Sequence, residues 1–245
     1  MDRDTQINGK VKEQYTSWAA TYDEEKVAIF ARAGYSYEEF MDCFIKCCGL
    51  KDGMNILDIG SGTGLTAIAL AKALSGNCKI VGIEPIEAMA TSAKANIKKE
   101  RLKDVIMIEK APAESIPGGD SAYDLVTCTF AIRHMNINKA LSEFIRVLKP
   151  KGKIVIADIY APEKWRSALG KVMTPFLRFA FRFSKYKAET KSRVLTINEW
   201  RTLLEGLGLT IIEIVQFPGK KEPEWELGRA IMAMGKWGRE GGNQF

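Results

Sequence analysis

The sequence predicts an α/β protein built on a doubly wound, mostly parallel sheet of seven strands. Three observations carry that expectation. From residue 54 onward, apolar runs of strand length alternate with amphipathic stretches of helix length. The first run, Met54 to Ile59, is apolar enough for a central strand covered on both faces. Directly after it, the turn Gly60-Ser61-Gly62-Thr63-Gly64 lets the backbone reverse tightly and opens into a stretch rich in Ala and Leu.

The other strands are expected at 78–84, 104–109, 123–129 and 153–159, with two late ones near 209–217 and 229–236. Helices are expected between them at 63–75, 86–101 and 136–148. Pro150-Lys151-Gly152 marks a sharp turn into the fifth strand. A further helix runs from Thr196 to Gly208, with Thr196 as N-cap, Glu199 completing a capping box, and Gly206 or Gly208 at the exit.

Before the first strand, Val11 to Phe30 reads as one helix carrying Tyr15, Trp18 and Tyr22 on or near one face. Its aromatics either pack on the main core or close as a lid over a ligand at the strand ends. Phe40 to Leu50 reads as a second helix ending at Gly49. The expected organisation is therefore an N-terminal helical lid, residues 1–50, and a main domain, residues 51–245, with a helical insert at 160–195. Gly238 to Phe245 reads as a loose tail.

The chain has 245 residues and a net charge of +6, and no stretch approaches the length of an uninterrupted transmembrane run. Its five cysteines do not form a disulfide framework, and free thiols suggest a reducing cytoplasm. Cys43 and Cys47 share a helix face, but a metal site would need further ligands and the single histidine, His134, is far off in sequence, so no metal is expected. The insert at 160–195 holds nine basic residues against two acids, a local charge of +7, together with Trp165, Phe176, Phe179, Phe181, Phe183 and Tyr186. Such a segment can dock as a cover over an apolar ligand, lie on an anionic membrane surface, or contact nucleic acid, in that order of expectation.

About two dozen residues past Gly60, the second strand ends in Glu84. A glycine turn followed by an acid at the next strand end is a way to hold an adenosyl group, with the carboxylate accepting from the ribose hydroxyls. Gly62-x-Gly64-x-x-Ala67 also fits a dinucleotide fingerprint, which keeps an NAD(P)-dependent oxidoreductase as the alternative. Tyr22-x-x-x-Lys26 matches a dehydrogenase pattern but precedes the glycine loop instead of following it, and is read as chance.

Asp58-Ile59-Gly60-Ser61-Gly62-Thr63-Gly64 resembles motif I of class I S-adenosylmethionine-dependent methyltransferases. Glu84-Pro85-Ile86-Glu87-Ala88-Met89 resembles the second motif of that group, Ala111 to Pro117 its adenine-rim segment, and Arg146-Val147-Leu148-Lys149-Pro150-Lys151-Gly152 its turn before the fifth strand. Tyr15-x-x-Trp18-Ala19-x-x-Tyr22-Asp23 resembles its lid helix, and Phe130 to Met135 resembles a run in ubiquinone and menaquinone biosynthesis methyltransferases. Two departures stand out: Pro112 replaces an acid that could accept from the adenine amino group, and Arg133-His134 stands where the quinone enzymes more often show Arg-Asn.

The resemblance implies a Rossmann-like methyltransferase fold, S-adenosyl-L-methionine as cofactor, and in-line methyl transfer to a small, fairly apolar acceptor. A non-catalytic methyltransferase-like binding module is the non-enzymatic alternative. Nucleic acid is not expected as substrate, since the chain has no N/D-P-P-Y/F run. The resemblance implies that Gly60, Ser61, Gly62 and Gly64 shape the cofactor turn and that Asp58 serves the methionine ammonium through water or backbone. Glu84 should hold the ribose, and Pro85, Ile86 and Met89 should flank adenine. Ala113 and Glu114 should meet its edge, Thr129 should end the fourth strand beside the ligand, and Tyr15 and Tyr22 should close the methionine end. His134, with Arg133 and Tyr22, is the acceptor-side candidate, because imidazole titrates in the useful range; the bland reading is that His134 only starts the next helix.

Overall fold

The computed structural model describes residues 9–32, 34–167, 194–217 and 230–237. Helices α1 (Gly9–Trp18), α2 (Tyr22–Arg32) and α3 (Tyr37–Cys48) precede the sheet. The main domain follows as β1 (Met54–Ile59), α4 (Leu65–Ala73), β2 (Cys78–Ile83), α5 (Glu87–Lys99), β3 (Ile106–Glu109), β4 (Tyr123–Thr129), α6 (Ile137–Val147) and β5 (Leu148–Ile159). It ends with α7 (Ile197–Gly206), β6 (Leu209–Phe217) and β7 (Ala230–Trp237).

The seven strands lie in the order β3-β2-β1-β4-β5-β7-β6. β1 pairs in parallel with both β2 and β4, and β7 runs antiparallel to β5 and β6. The strand order therefore reverses between β1 and β4, and the crevice at their carboxyl ends is where open α/β sheets bind ligands. Two clusters of buried side chains form the core, one on each face of the sheet. Ile56 of β1 joins Phe40, Phe44, Leu70 and Ala93 on the face covered by α3, α4 and α5. Leu57 and Ile59 join Phe144, Leu141, Trp200 and Leu204 on the face covered by α6 and α7. The alternation along β1 is the period-two pattern of a strand buried on both sides.

Two expectations need correction. The single helix expected over 11–30 is two helices, α1 and α2, separated by a turn closed by the Thr21 amide donating to the Trp18 carbonyl (2.9 Å). Thr21-Tyr22-Asp23-Glu24 fits a capping-box sequence, and that signal marks the break. The second correction concerns β5, which begins at Leu148, paired with Tyr123, ahead of the Pro150-Lys151-Gly152 segment. The expected caps are present elsewhere: Gly49 ends α3 in the left-handed region, and Thr196 and Glu199 form a capping box on α7. A capping box of Ser36 and Glu39, not expected, starts α3 at Tyr37, ahead of Phe40. The insert at 160–195, apart from 160–167 and 194–195, lies outside the described residues, as does the 238–245 tail.

Candidate cofactor and acceptor site

A cleft of about 500 Å³, counting its open mouth, lies at the carboxyl ends of β1, β2 and β4. One wall is the glycine turn. Gly60 and Ser61 amides both donate to the Ile83 carbonyl (2.8 and 3.1 Å), stitching the turn to the end of β2. Gly60 has φ 66°, and a Cβ there would stand 2.4 Å from Ala131 Cβ, so only glycine lets the turn and the loop after β4 meet.

Glu84 closes this wall. One carboxylate oxygen accepts from the Gly62 amide and the other from the Ile86 amide, both at 2.9 Å. Burial pushes its pKa up to about 7; the two backbone donors oppose that shift and the nearby Asp58 adds to it. Each oxygen retains acceptor capacity toward the cleft, which the residue lines together with Pro85, Ile86 and Met89.

Asp58 lies behind the turn, 1% exposed. Its Oδ1 accepts from Thr127 (2.8 Å), while Oδ2 has no hydrogen-bond partner among the described residues. Burial raises its pKa to about 6 against the hydroxyls of Thr127 and Ser61. The Ser61 hydroxyl also donates to the Asp58 carbonyl (2.9 Å). A buried carboxylate oxygen without a donor fits a ligand that brings a cation or a water-bridged ammonium to this side of the turn. With Glu84 as a second acceptor, the site suits a ligand carrying a diol and an ammonium better than one carrying a pyrophosphate.

The facing wall comes from the N-terminal helices and the loop after β4. Tyr15 and Tyr22 line it with Val11, Phe130, Ala131 and Met135. The Tyr15 hydroxyl and His134 Nε2 are 3.2 Å apart, with the rings edge to face at 5.5 Å. The His134 imidazole is held well below its ordinary pKa by burial first, then by the charges of Arg133 and Lys26, so it is neutral at pH 7. Lys26 donates to the Tyr22 hydroxyl (3.3 Å) and places its ammonium 4.0 Å from the centre of the Phe130 ring.

Asp23 anchors α2 to the cofactor side. It accepts from the Thr63 hydroxyl and from Asn96 Nδ2 (3.1 Å), and Asn96 also donates to the Thr63 carbonyl (3.0 Å).

The loop 130–135 is held from below. Arg133 Nη1 donates to Asp158 Oδ1 (2.6 Å) and to the Phe130 carbonyl (2.7 Å), and the Arg133 amide donates to Asp158 Oδ2 (3.3 Å). Both side chains of this ion pair are under 10% exposed. Phe130 itself has φ 55°, a backbone conformation costly for a residue with a Cβ.

Of the expected site residues, Tyr15, Tyr22, Gly60, Gly62, Glu84, Pro85, Ile86, Met89, Thr129 and His134 all line the cleft. Six others do not. Asp58 and Ser61 lie buried beneath the turn, and Gly64 packs toward Ala93. Ala113 is buried in the core, and Glu114 accepts from the Asn136 amide (2.7 Å) at the start of α6. Arg133 is turned toward Asp158 instead of the cleft. Asp158 and Lys26 were missed as site residues. Asp158, next to last in β5, falls in no motif. Tyr22-x-x-x-Lys26, set aside as chance, does put its two side chains in contact, one helical turn apart. Arg146 of the "RVLKP" segment holds the 116–120 loop, bonding Glu143, Asp120 and the Ile116 carbonyl.

The fold and the cleft together define an adenosyl-binding α/β protein of the class I methyltransferase type. Residues 50–206 match the family described as methyltransferase domain, and the chain belongs to this family of S-adenosylmethionine-dependent methyltransferases. The ubiquinone/menaquinone biosynthesis C-methyltransferase of Geobacter sulfurreducens is 35% identical over 133 residues, 54% of this chain and 51% of that protein. This chain thus spans about half the length of that relative. The uncharacterized methyltransferase YcgJ of Bacillus subtilis is 26% identical over 198 residues, 80% of this chain and 70% of that protein. The crystal structure of the Bacillus subtilis YcgJ protein superposes with a TM-score of 0.66 at 21% identity, covering 84% of this chain and 100% of that one. Among the described residues, no helix is long and apolar enough to cross a membrane.

Proposed function

We propose that the protein methylates a small, fairly apolar aromatic acceptor, at carbon on a quinol-type ring. The observation that carries this reading is the acceptor wall, in which one neutral histidine is set among Val11, Tyr15, Phe130 and Met135. Such a wall suits a flat apolar ring bearing a hydroxyl. The similarity to the Geobacter ubiquinone/menaquinone biosynthesis C-methyltransferase supports the acceptor class.

Bound S-adenosylmethionine would supply an activated methyl group: an acceptor ring carbon would bond to it while the old carbon–sulfur pair stays on sulfur, and the proton of that ring carbon would leave to solvent. The chain's own task is to align, orient and exclude water. Glu84 would accept from the ribose hydroxyls, and Ile86 and Met89 would flank the adenine. Asp58, buried beneath the turn, would serve the ammonium end through water or the backbone of the turn. Helices α1 and α2 act as a lid, with Tyr15 and Tyr22 closing over the reacting atoms. His134, being neutral, accepts a hydrogen bond from an acceptor hydroxyl and turns the ring toward the methyl group. Arg133 positions that loop through Asp158. The basic insert at 160–195 serves as a further cover that can touch an anionic membrane surface, where an apolar acceptor would reside.

Thermal shift against S-adenosylmethionine, its demethylated product and NADH is the first test; stabilisation by NADH alone would sink the reading. The decisive measurement is mass spectrometry of products after cell extract is incubated with the protein and methyl-labelled S-adenosylmethionine. A labelled product carrying the methyl on oxygen or nitrogen would overturn carbon methylation.

A further inference from the structure

We propose that Cys43, Cys47 and Met232 form a binding site for one soft, thiophilic cation, Cu(I), outside the cleft on the face of the sheet that α3 covers.

Cys43 and Cys47 lie one turn apart on the same face of α3, and their neighbourhood in the sequence supplies no third ligand. The fold brings one from β7, 185 positions on: Cys47 Sγ and Met232 Sδ are 3.7 Å apart. Two sulfurs held to one ion by bonds of about 2.3 Å stand about 3.7–4.0 Å apart in a tetrahedral or trigonal set. One edge of such a site is therefore already at its bound spacing. Cys43 supplies the third sulfur, since its thiol is hydrogen-bonded to that of Cys47. Neither thiol is in a disulfide, and both cysteines are half-buried, whereas Met232 is fully buried. Entry is from the cysteine side.

The donor set decides the metal. Among the described residues, no three His, Cys, Asp or Glu side chains gather where they could hold a metal ion, which leaves Zn(II) and the hard cations without a full set. Two thiolates and a thioether are soft ligands and suit Cu(I). On binding, each thiol gives its proton to water and an electron pair to the metal. Cu(I) and two thiols thus become a complex of net charge −1, with two protons released. Lys153, whose ammonium donates to the Cys47 carbonyl, offsets that charge, and Glu213 opposes it more weakly from β6. Burial first, then Cys43, pushes the Cys47 thiol up to about 11. A thiol so raised is a poor nucleophile at pH 7, so the pair is better placed to hold a metal than to react.

The test titrates the full chain, reduced and kept under argon, with Cu(I) held by bicinchoninate, whose coloured complex reports the copper the protein does not take. The unaltered protein should withdraw one equivalent, and X-ray absorption at the copper edge should show three sulfurs at about 2.3 Å. Cys43→Ser and Cys47→Ser should each weaken uptake by more than about 100-fold, beyond the loss of an outer-sphere contact. Met232→Leu, close in volume and so kept folded, should weaken it by about tenfold and reduce the shell to two sulfurs. Cys128→Ala, on the opposite face of the sheet, should change uptake by less than about twofold. Failure to withdraw copper, uptake that survives in Cys43→Ser and Cys47→Ser, or a three-sulfur shell that persists in Met232→Leu would overturn the inference. Tighter binding of Zn(II) than of Cu(I) at the same cysteines would overturn the choice of metal.

Discussion

The two walls of the cleft are held by different means. The cofactor wall is built by amides of the glycine turn donating to the end of the neighbouring strand: Gly60 and Ser61 to the Ile83 carbonyl, Gly62 to the Glu84 carboxylate. The acceptor wall is built by side chains far apart in sequence: Tyr15 with His134, Lys26 with Phe130, Arg133 with Asp158. The first arrangement depends on glycines and one acid in fixed order. The second depends on a buried charge pair and on ring contacts that bring the N-terminal helices onto the loop after β4.

The sharpest way to break this contrast is Asp158→Ala. It leaves the Arg133 charge buried without its carboxylate, which should cost about 3–5 kcal/mol in urea unfolding. Turnover should fall with S-adenosylhomocysteine affinity nearly unchanged in whatever remains folded. A loss below about 1 kcal/mol would mean that water readily replaces the pair.

Gly60→Ala should come next, because it alone strikes both walls. Its Cβ would lie 2.4 Å from Ala131 Cβ at a positive φ, so we expect a cost of about 2–4 kcal/mol with cofactor affinity and turnover falling together. A variant that lost turnover alone would show that the turn yields and the loop does not.

Glu84→Gln tests the cofactor wall by itself. Binding of S-adenosylhomocysteine at pH 8 should weaken by about 10–100-fold, as for hydrogen bonds lost from a charged acceptor. In the unaltered protein this affinity should climb as pH rises through about 7, where Glu84 ionises, and Glu84→Gln should flatten the profile. The ligand-free fold should respond in the opposite sense. Glu84 ionises near 4.5 in the unfolded chain and near 7 when folded, so its contribution to stability is present at low pH and is lost as pH rises across that window. Asp58 acts likewise between 3.8 and about 6. His134 runs the other way: its depressed pKa contributes stability above 6.5 that disappears as pH falls. The difference in melting temperature between Glu84→Gln and the unaltered protein isolates the first slope.

The smallest effect should be at His134. His134→Ala should slow turnover on the true acceptor about tenfold, the worth of one neutral hydrogen bond, and leave S-adenosylhomocysteine affinity within about twofold. Unchanged turnover would remove His134 from the mechanism.

Most of the fold and nearly all of the cofactor wall were legible in advance, and the reason is local. Strands β1, β4 and β6 fall on the expected residues because apolar and β-branched side chains dominate runs of strand length. Gly60, Gly62 and Glu84 could be found because the turn and the next strand end are adjacent in space as well as nearly so in sequence. The break between α1 and α2 was obscured by aromatic periodicity, which continues across it. The capping-box pattern Thr21 to Glu24 marks it in the sequence, and in the fold Asp23 at the start of α2 docks on Thr63 and Asn96.

By itself the sequence determined the order of strands and helices, the glycine turn and the acid that follows it, since each depends on interactions within about thirty residues. Only the tertiary structure decided which side chains form the acceptor wall. Tyr15 and His134 are 119 positions apart, Arg133 and Asp158 are 25 apart across two strands, and Lys26 meets Phe130 over the sheet's end. No local propensity encodes such pairs; they exist because packing brings the N-terminal helices onto the loop after β4 at the switch point.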